Sequence, residues 1–466
     1  MYQVPQHISK DKIFIVNRSV IDNRVDAQYY SANLDLSGFV KLSSVAIVKG
    51  GKRIPKGYGY SNEQTPYHYL RVADMDSDAQ VEVNNLMNIS EEVFNILERY
   101  EISEGELAIS IAGTIGKTTI LKNIPADKRV ILTENCAKIL ARPNVNLLPE
   151  YLKICLELPI VKKQLDLNYI QTTIPKLGLD KIVGIKIPPI PCMQKQQEIV
   201  DFINEAYTQK RAKEVEAQQL LDSIDNYLLK ELGITIPEVK TDIGSRIFII
   251  QKCELKGRYT PCLYKDAISL HSTIYDNISL SHLAYVNPNT RLPYKDEKMM
   301  ISFIPMESVN EIYAEINDNK NCIVADSKGF TRFQEGDLLW AKITPCMENG
   351  KSAIAKDLIN GYGCGSTEFH VIRPKNNDLL IEYIHSLLHM RIVRQTAKLY
   401  FGGSAGQQRV ASDFLESFNV PLPSKTKQQE IVDYITNIRT RAKALQAEGK
   451  AILENAKLKV EQMIIE

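Results

Sequence analysis

Long apolar runs are missing from this sequence, because no stretch approaches the roughly 18 residues that a membrane-spanning helix needs. The first residues contain no apolar segment of the kind found in secretory signal peptides. The eight cysteines are scattered and form no CxxC pair, which argues against a disulfide framework and against a cysteine-based zinc site. Together these absences predict a cytoplasmic protein that does not contact a membrane.

An excess of charge of either sign is also missing. The 57 Lys and Arg residues nearly balance the 56 Asp and Glu residues, so the formal net charge is +1. Charged residues make up 24% of the chain and hydrophobic residues 44%, which is typical of globular proteins. This balance neither requires nor excludes a nucleic-acid partner, so any DNA-binding surface must be a local patch.

A phosphate-binding loop is only superficially suggested by Gly113–Thr118. The GxxxxGK[ST] pattern needs a glycine where Ile111 stands, and it needs a helix directly afterwards. Thr119–Leu121 has the character of a strand instead. We therefore predict a β-turn that presents Lys117, with Lys351 in the same turn of the second half.

Two histidines, His385 and His389, lie four residues apart on a predicted helix, a spacing that can bind zinc. A zinc protease would also need glutamate after the first histidine, where Ser386 stands. We therefore predict that both are surface residues. The sequence also shows no adenine-methyltransferase signature, no nuclease carboxylate cluster and no nucleophile motif. These absences predict a chain without catalytic residues, without a metal site and without a cofactor of its own.

An internal repeat dominates what the sequence does contain. Lys195–Asp201 and Lys427–Asp433 are identical and lie about 232 positions apart, close to half of the chain. Other segments recur in the same order: Arg24 and Tyr30 with Arg258 and Tyr264, Lys52–Pro55 with Thr290–Pro293, Glu104–Leu107 with Glu335–Leu338, Ile115–Thr118 with Asn349–Ser352, Thr133–Asn135 with Thr367–Phe369, and Arg142-Pro143 with Arg373-Pro374. This collinearity predicts duplication of the whole chain rather than two unrelated domains that share a helix.

Each half is predicted to be an α+β domain followed by a long helix. Apolar residues recur at helical spacing over residues 194–232 and over residues 425 to about 465. Each helix would be about 60 Å long, and its apolar stripe needs a partner, most simply the other helix. The connection after the first helix is short, so the pair is predicted to be antiparallel, with a pseudo-twofold axis relating the halves. The predicted domains are residues 1–190 and 234–424, and the predicted spacer helices are residues 191–233 and 425–466.

Within the domains, β-propensity and Gly or Pro punctuation predict short strands. In the first half the predicted strands are Phe39–Val48, Ala108–Ala112, Thr119–Leu121, Val130–Leu132 and Ala137–Leu140, and a helix is predicted over Pro149–Leu165. In the second half the predicted strands are Leu338–Ile343, Ser352–Ala355 and Glu368–Ile372, and a helix is predicted near Leu379–Lys398.

Basic and polar side chains concentrate in a few loops. In the loop Gly50–Tyr60, glycines allow close approach of a ligand, and Lys and Arg can bind phosphate oxygens or guanine edges. The alternative is an exposed basic hairpin. The loops Gln171–Lys176 and Gly402–Arg409 carry residue types that bind DNA but are also ordinary in loops. The predicted DNA-contacting residues are Lys52, Arg53, Lys56, Tyr58, Lys117, Gln171, Thr172, Thr173, Lys176, Arg291, Lys342, Asn349, Lys351, Ser404, Gln407, Gln408 and Arg409.

Four kinds of segment carry a family resemblance: Gly336–Lys351, Gly365–His370, Gly51–Gly57, and the two helix starts that run from a proline to Gln-Gln-Glu-Ile-Val. Through them the whole sequence resembles the specificity subunit of type I restriction–modification systems. The resemblance implies two tandem target recognition domains, each reading one half of a split site in double-stranded DNA, with the helices as spacer. It also implies two methyltransferase subunits that carry S-adenosylmethionine and methylate adenine, and a separate motor–nuclease subunit that cuts DNA.

One departure separates the two halves. Cys346–Asn349 has no counterpart in the first half, where Gly113–Ile115 stands, so the two domains are predicted to prefer different bases. Apolar residues that one helix pair cannot bury predict methyltransferase docking at Phe202, Tyr227, Tyr434 and Met463. Two alternatives stay open: a specificity subunit of a related methylation-based defence system that lacks a motor nuclease, and an enzyme such as an NTPase or a nuclease.

Overall fold

The computed structural model describes residues 34–75, 81–168, 175–236, 270–292, 297–403 and 407–465, together with residues 15, 16, 18, 21, 30 and 32. The chain divides into two compact units. Unit 1 comprises Met1–Arg211 and Gly449–Glu466, and unit 2 comprises Ala212–Glu448. Of the repeated landmarks, Arg24, Arg258 and Tyr264 lie outside the described residues.

Unit 1 is built on two small sheets. Its described strands are β1 (Val40–Lys41), β2 (Ala46–Gly50), β3 (Tyr67–Leu70), β4 (Met87–Asn88), β5 (Glu101–Ile102), β6 (Leu107–Ser110), β7 (Thr118–Ile120), β8 (Arg129–Leu132), β9 (Cys136–Ala141) and β10 (Lys186–Ile187). One antiparallel sheet has the order β2-β9-β6-β7. The other has the order β4-β3-β8-β5, in which β3 and β8 are parallel. Strands β1 and β10 form a separate antiparallel pair.

Unit 2 repeats this arrangement. Its described strands are β11 (Asn277–Ser279), β12 (Ala284–Val286), β13 (Met300–Ile304), β14 (Val309–Asn310), β15 (Glu315–Ile316), β16 (Lys320–Ile323), β17 (Thr331–Gln334), β18 (Leu338–Ala341), β19 (Ser352–Ile354), β20 (Tyr362–Gly365), β21 (Phe369–Pro374), β22 (Phe401–Gly402), β23 (Arg409–Val410) and β24 (Asn419–Pro421). The sheets β12-β21-β18-β19 and β16-β13-β20-β17 match those of unit 1, including the parallel pair β13 and β20. The predicted tandem duplication of an α+β unit is therefore confirmed.

The helices include the two long ones that the apolar periodicity predicts. The described α-helices are α1 (Leu42–Val45), α2 (Glu91–Leu97), α3 (Pro149–Glu157), α4 (Pro159–Asp166), α5 (Leu179–Val183), α6 (Met193–Glu231), α7 (Leu280–Leu283), α8 (Ile381–His389), α9 (Arg391–Lys398), α10 (Ser412–Glu416) and α11 (Lys425–Ile465). Short 3-10 helices cover Val72–Asp74, Val83–Asn85, Glu98–Tyr100, Met306–Ser308, Val324–Ser327 and Ile359–Gly361. None of the described helices combines the length and the apolar character that a membrane span requires.

Helices α6 and α11 pack together inside each unit. In unit 2 the ion pairs Lys427–Glu231 (2.7 Å) and Arg441–Glu216 (3.2 Å) run in opposite directions along the two helices, so the pair is antiparallel. The unit 2 core buries one set of apolar side chains from both helices: Ile224, Leu228, Leu232, Ile431, Ile435 and Ile438. The unit 1 core buries the corresponding set: Ile199, Ile203, Ala206, Leu453, Ala456 and Val460.

The identical heptapeptides have a structural reason. Gln196 at the start of α6 and Gln428 at the start of α11 are both buried. The amide group of Gln196 accepts from the backbone N–H of Leu148 (2.9 Å) and donates to the carbonyl oxygens of Asn146 and Pro191 (both 2.8 Å). Gln428 makes the same contacts in unit 2. Each glutamine therefore ties a long helix to the segment that precedes α3 or α8.

Three predicted elements are interrupted. The helix predicted over Pro149–Leu165 breaks at Leu158, because proline at position 159 restricts the residue before it to extended backbone. The helix predicted near Leu379–Lys398 breaks at Met390 without a proline. There the free N–H of Arg391 donates to the Asp225 carboxylate (2.9 Å). The strand predicted over Phe39–Val48 is divided by α1, whose Leu42 is fully buried.

Two segment matches in the predicted repeat are out of register. Leu107 and Leu338 occupy equivalent strand positions and pair with Ile139 and Ile372, so Arg373 corresponds to Leu140. Arg142 instead corresponds to Lys375, because each side chain donates to a serine carbonyl, Ser43 and Ser281 respectively. The matches of Arg142-Pro143 with Arg373-Pro374 and of Thr133–Asn135 with Thr367–Phe369 are therefore wrong.

Candidate nucleic-acid interface

The basic loop of unit 1 leaves β2 and crosses closely over the end of β8. The Gly51 N–H donates to the Cys136 carbonyl (2.9 Å), and the Lys52 N–H donates to the Leu132 carbonyl (3.0 Å). A Cβ atom at Gly51 would lie 2.1 Å from the carbonyl oxygen of Thr133. Only glycine allows this crossing, which holds the next residues against the sheet.

Arg53 is the best-positioned basic residue of this loop. Its guanidinium pairs with Glu134, while 79% of the Arg53 side chain stays exposed. Glu134 also accepts from Thr133 Oγ1 (2.8 Å) and Tyr69 Oη (3.3 Å). Burial acts to raise the pKa of Glu134, but the hydrogen bonds from Arg53 and Thr133 outweigh it and lower that pKa. The ionised carboxylate thus orients an exposed guanidinium that keeps donors for a further acceptor.

The remaining residues of the loop lie at the surface. The Tyr58 N–H closes a turn on the Pro55 carbonyl (3.1 Å), with Lys56 exposed inside that turn. The Tyr58 hydroxyl donates to Glu92 (2.6 Å), which raises the pKa of Tyr58. Lys52 is exposed as well. This loop therefore offers three exposed cations and an aromatic ring on one short segment.

Lys117 and Lys351 occupy equivalent turns, as predicted, but their ammonium groups point toward backbone. Lys117 Nζ donates to the Met75 carbonyl (3.4 Å), and Lys351 Nζ donates to the Met306 carbonyl (3.1 Å). Both side chains are half-buried. This repeated contact gives the two lysines a structural role, and their contact with DNA stays a prediction.

Lys176 and Arg409 also occupy equivalent positions, because they form isolated bridges with Ala112 and Ile343. The Arg409 guanidinium forms a bidentate ion pair with Glu368, whose pKa the hydrogen bonds from Arg409 lower. The N–H of Lys342 donates to the Glu368 carbonyl (2.9 Å). Lys342 and Arg409 therefore lie beside one carboxylate in unit 2.

Other predicted contacts of unit 2 border this cluster or lie on exposed turns. The N–H of Thr344 donates to the Gln408 carbonyl (3.1 Å), which places Gln408 and its exposed neighbour Gln407 next to Lys342. Asn349 and Arg291 are exposed. The structure does not test whether any of these side chains touches DNA. Four further predicted contacts, namely Gln171, Thr172, Thr173 and Ser404, lie outside the described residues.

Sequence reasoning missed the two carboxylates, Glu134 and Glu368, that orient the arginines. Each follows a strand of the second sheet, β8 or β20, but Glu368 corresponds to Asn135 rather than to Glu134. The arginines come from different loops, far away in sequence. An acidic residue that directly follows a buried strand near a basic loop was the one available signal.

The four predicted docking residues lie on the long helices. The Tyr227 and Tyr434 rings stack with centroids 3.9 Å apart, and Tyr434 is 45% exposed. Phe202 is half-buried, with Lys459 Nζ 5.1 Å from the centre of its ring. Met463 packs partly buried against the unit 1 core. Tyr434 is therefore the one of the four with an exposed side chain.

The prediction that His385 and His389 are surface residues is wrong for His385, which is 3% exposed. Its Nε2 atom lies 3.0 Å from Ser352 Oγ, and burial lowers its pKa to about 3. The error arose because the whole inner face of α8 packs into the core. Within the described part of the chain, no group of three or more His, Cys, Asp or Glu side chains is arranged to hold a metal ion.

Comparison with known proteins identifies the family to which this fold belongs. The profile of the type I restriction modification DNA specificity domain matches residues 35–221 and residues 276–455. The chain belongs to this family. Its two matches coincide with the duplicated halves, so each half is one specificity domain.

Two curated relatives from Escherichia coli have similar sequences. The chain is 33% identical over 188 residues to the type I restriction enzyme EcoEI specificity subunit and 32% identical over 191 residues to the EcoAI specificity subunit. Each match covers 40% of this chain and 31% of the relative. The chain thus matches less than a third of the length of these specificity subunits.

Solved structures resemble the specificity-domain fold over most of its length. A chain from a structure on complex assembly and conformational transition of the type I R-M system has a TM-score of 0.52 at 13% identity, covering 91% of this chain and 96% of that one. The type I restriction–modification S subunit from M. genitalium has a TM-score of 0.40 at 10% identity, with 92% and 96% coverage. The first likeness supports a shared fold.

Proposed function

We propose that this chain is the DNA-specificity subunit of a type I restriction–modification complex. It reads a bipartite, asymmetric site in double-stranded DNA and directs adenine methylation and restriction by partner subunits. The observation that carries the proposal is the duplication of one specificity domain in a chain whose two basic clusters differ. The curated relatives are named as restriction enzyme subunits, which favours this assembly over a defence system without a motor nuclease.

Each domain reads one half-site through its own cluster of cations. In unit 1 that cluster is the Lys52–Tyr58 loop with Arg53 oriented by Glu134. In unit 2 it is the surface around Lys342 and Arg409, oriented by Glu368. Two clusters built on different loops cannot present the same donors, so the half-sites differ in sequence. Residues 1–190 and 234–424 are the two target recognition domains, and residues 191–233 and 425–466 are the spacer helices.

The chain itself is not an enzyme and holds no cofactor. Catalysis belongs to two methyltransferase subunits, which bind S-adenosylmethionine, and to a motor–nuclease subunit. The methyltransferase subunits dock on the spacer helices around Phe202, Tyr227, Tyr434 and Met463. The complex acts on DNA in the cytoplasm.

The direct test is methylome sequencing of a host with this gene, without it, and with Lys52→Ala and Arg53→Ala together. Deletion should remove one bipartite methylated motif. The double variant should lower methylation at that motif, because it removes two cations that bind phosphates or a guanine edge. In purified complexes, phosphate contacts would weaken binding for every sequence and reduce the salt slope by about one per contact.

Arg142→Ala is the matched control, because Arg142 is exposed on unit 1 at the opposite end of the β2–β9 pair. Its removal should leave the motif and the salt slope unchanged. Unchanged DNA affinity of the double variant at two salt concentrations would exclude this loop from the interface. A host whose methylome is the same with and without the gene, with the partner subunits present, would contradict the proposed function.

The second prediction concerns stoichiometry. Each half carries one domain and one long helix, so each half should dock one methyltransferase subunit. Native mass spectrometry of the co-purified complex should give two methyltransferase subunits per chain. Tyr434→Ala should weaken docking on unit 2, whereas Arg441→Ala on the same helix should not. A 1:1 complex that persists with excess methyltransferase would contradict this prediction.

A further inference from the structure

Unit 2 contains a cluster of buried or half-buried cationic and imidazole groups that DNA binding does not use. His385 and His389 lie on α8, and Arg439 lies on α11. Two adjacent cavities, of about 570 Å³ and about 400 Å³, are both lined by Arg439 and Ser386. His385 lines the larger cavity and His389 lines the smaller one.

The same positions in unit 1 form a neutral, fully paired cluster. The strand and helix registers match His385 with Lys153, His389 with Glu157, and Arg439 with Tyr207. In unit 1, Lys153 Nζ forms an ion pair with Glu157 (2.8 Å) and lies 5.7 Å from the centre of the Tyr207 ring. Thr118 Oγ1 donates to the same carboxylate (2.6 Å). Glu157 is thus the anion on which this cluster is built.

Unit 2 has lost that anion and gained a cation. Histidine replaces Glu157 and arginine replaces Tyr207, so a carboxylate is absent where a guanidinium has been added. Among the described residues, none forms a hydrogen bond or an ion pair with Arg439. Glu315 acts on it electrostatically, but that carboxylate is already paired with Lys443. Burial lowers the pKa of Arg439 to about 10, which is the cost of holding this charge without a partner.

Further polar atoms on the cavity walls also lack partners. His389 Nδ1 is buried without a hydrogen bond in the smaller cavity. Tyr313 Oη and Asn319 Oδ1 are buried without partners in the larger one. The acidic groups Asp222, Asp225 and Glu311 line the smaller cavity, and Asp318, Asp357 and Glu382 line the larger one, but none of them is paired with Arg439. Buried polar atoms are normally satisfied, so these cavities are built for a polar occupant.

We propose that unit 2 binds a phosphate-bearing small molecule, up to the size of a mononucleotide, whose phosphate occupies the place of the lost Glu157 carboxylate. Arg439 and His389 are the phosphate ligands. The guanidinium offers a planar set of donors that fits phosphate oxygens. The organic part of the ligand lies in the larger cavity, whose volume falls within the range of small-molecule sites. Tyr313 Oη donates to it, and Asn319 Oδ1 accepts from it.

The test is calorimetric titration of the full-length chain, in chloride buffer without phosphate, with inorganic phosphate and with adenosine monophosphate. Both probes should bind, with the nucleotide tighter. Arg439→Gln should weaken binding by about tenfold or more, since a charge-assisted contact is lost. His389→Glu restores the carboxylate of unit 1, so it should abolish binding and raise Tm in the absence of phosphate.

Two controls separate this site from other phosphate-binding surfaces. Arg441→Gln removes an exposed arginine of the same helix, and the Lys52 and Arg53 double variant removes the basic loop; neither should change the affinity for the probes. Equal phosphate affinity in Arg439→Gln and the unmodified chain would overturn the proposal. So would binding of succinate, but not phosphate, that depends on Arg439. A His389→Glu chain that binds phosphate normally would overturn the assignment of His389.

Discussion

A chain that ends at residue 235 is expected to sediment as a dimer. In the full-length protein, the stripe that includes Ile199 and Ile203 is buried in one core with four side chains of α11: Leu453, Ala456, Val460 and Ile464. The truncated chain lacks these. Equivalent positions of α6 carry Leu221, Ile224, Leu228 and Leu232, and the last three are buried in the same way in unit 2. A second copy can therefore supply the missing contacts, which contribute roughly 1.5–3 kcal/mol for each large apolar side chain.

The half-length chain should also recognise a different site. Two identical antiparallel helices are related by a twofold axis, so two copies of the first recognition domain would face opposite DNA strands. With the methyltransferase subunit present, the methylated motif should become an inverted repeat of the first half-site. Leu228→Asp in the half-length chain should give a monomer without activity. A wild-type half that stays monomeric in the ultracentrifuge, or a motif without inverted symmetry, would refute the prediction.

Replacing Arg373 with alanine is expected to lower the free energy of unfolding of unit 2 by about 3–5 kcal/mol, because it leaves a buried charge without its partner. Asp337 is 1% exposed and receives two hydrogen bonds from the Arg373 guanidinium, at 2.7 and 2.6 Å. Arg373 also donates to Thr290 Oγ1 (2.8 Å), in the segment that precedes the candidate DNA contact Arg291. The variant should therefore lose methylation activity as well as stability.

Chemical denaturation of single and double variants checks this prediction. Asp337→Asn added to Arg373→Ala should restore most of the stability, because asparagine can still accept from the Gln334 N–H without a buried charge. Lys375→Ala, which removes an exposed donor to the Ser281 carbonyl two residues away, should cost less than about 1 kcal/mol. Equal losses for Arg373→Ala and Lys375→Ala would show that the buried pair does not stabilise the fold.

Duplicated halves offer internal controls for several of these experiments. Glu106 corresponds to Asp337, but its partner is Lys138, two residues earlier on the same strand face than the position of Arg373. The basic partner moved by one period of the strand while the acid stayed in place. A shift of two residues keeps a side chain on the same face of a sheet, so the pair is preserved.

Local patterns were enough to predict the architecture. The two long helices end within about two residues of their predicted bounds, because apolar spacing and the absence of proline and glycine in α6 are properties of the segment itself. The identical heptapeptides predicted the duplication, and each of them makes the same buried contacts in its own unit. The Lys117 and Lys351 turns were also predicted, since they depend on neighbouring residues alone.

Contacts between distant residues were beyond that reach. Arg53 and Glu134 are 81 positions apart, and Arg409 and Glu368 are 41 apart, so no local pattern joins them. Sequence matching also placed Arg373 opposite Arg142, whereas strand pairing places it opposite Leu140. Insertions of one or two residues in turns leave the order of motifs intact but change the register.

By itself, therefore, the amino-acid sequence determined the tandem repeat, the α+β character of each half, the two long helices and the loops that carry basic residues. Tertiary structure alone decided which carboxylate orients which arginine, that His385 is buried, and that Arg439 stands without an anion between two cavities. The physical reason is the range of each effect. Helix formation and turns depend on residues within a few positions, whereas burial and charge pairing depend on which distant segments pack together.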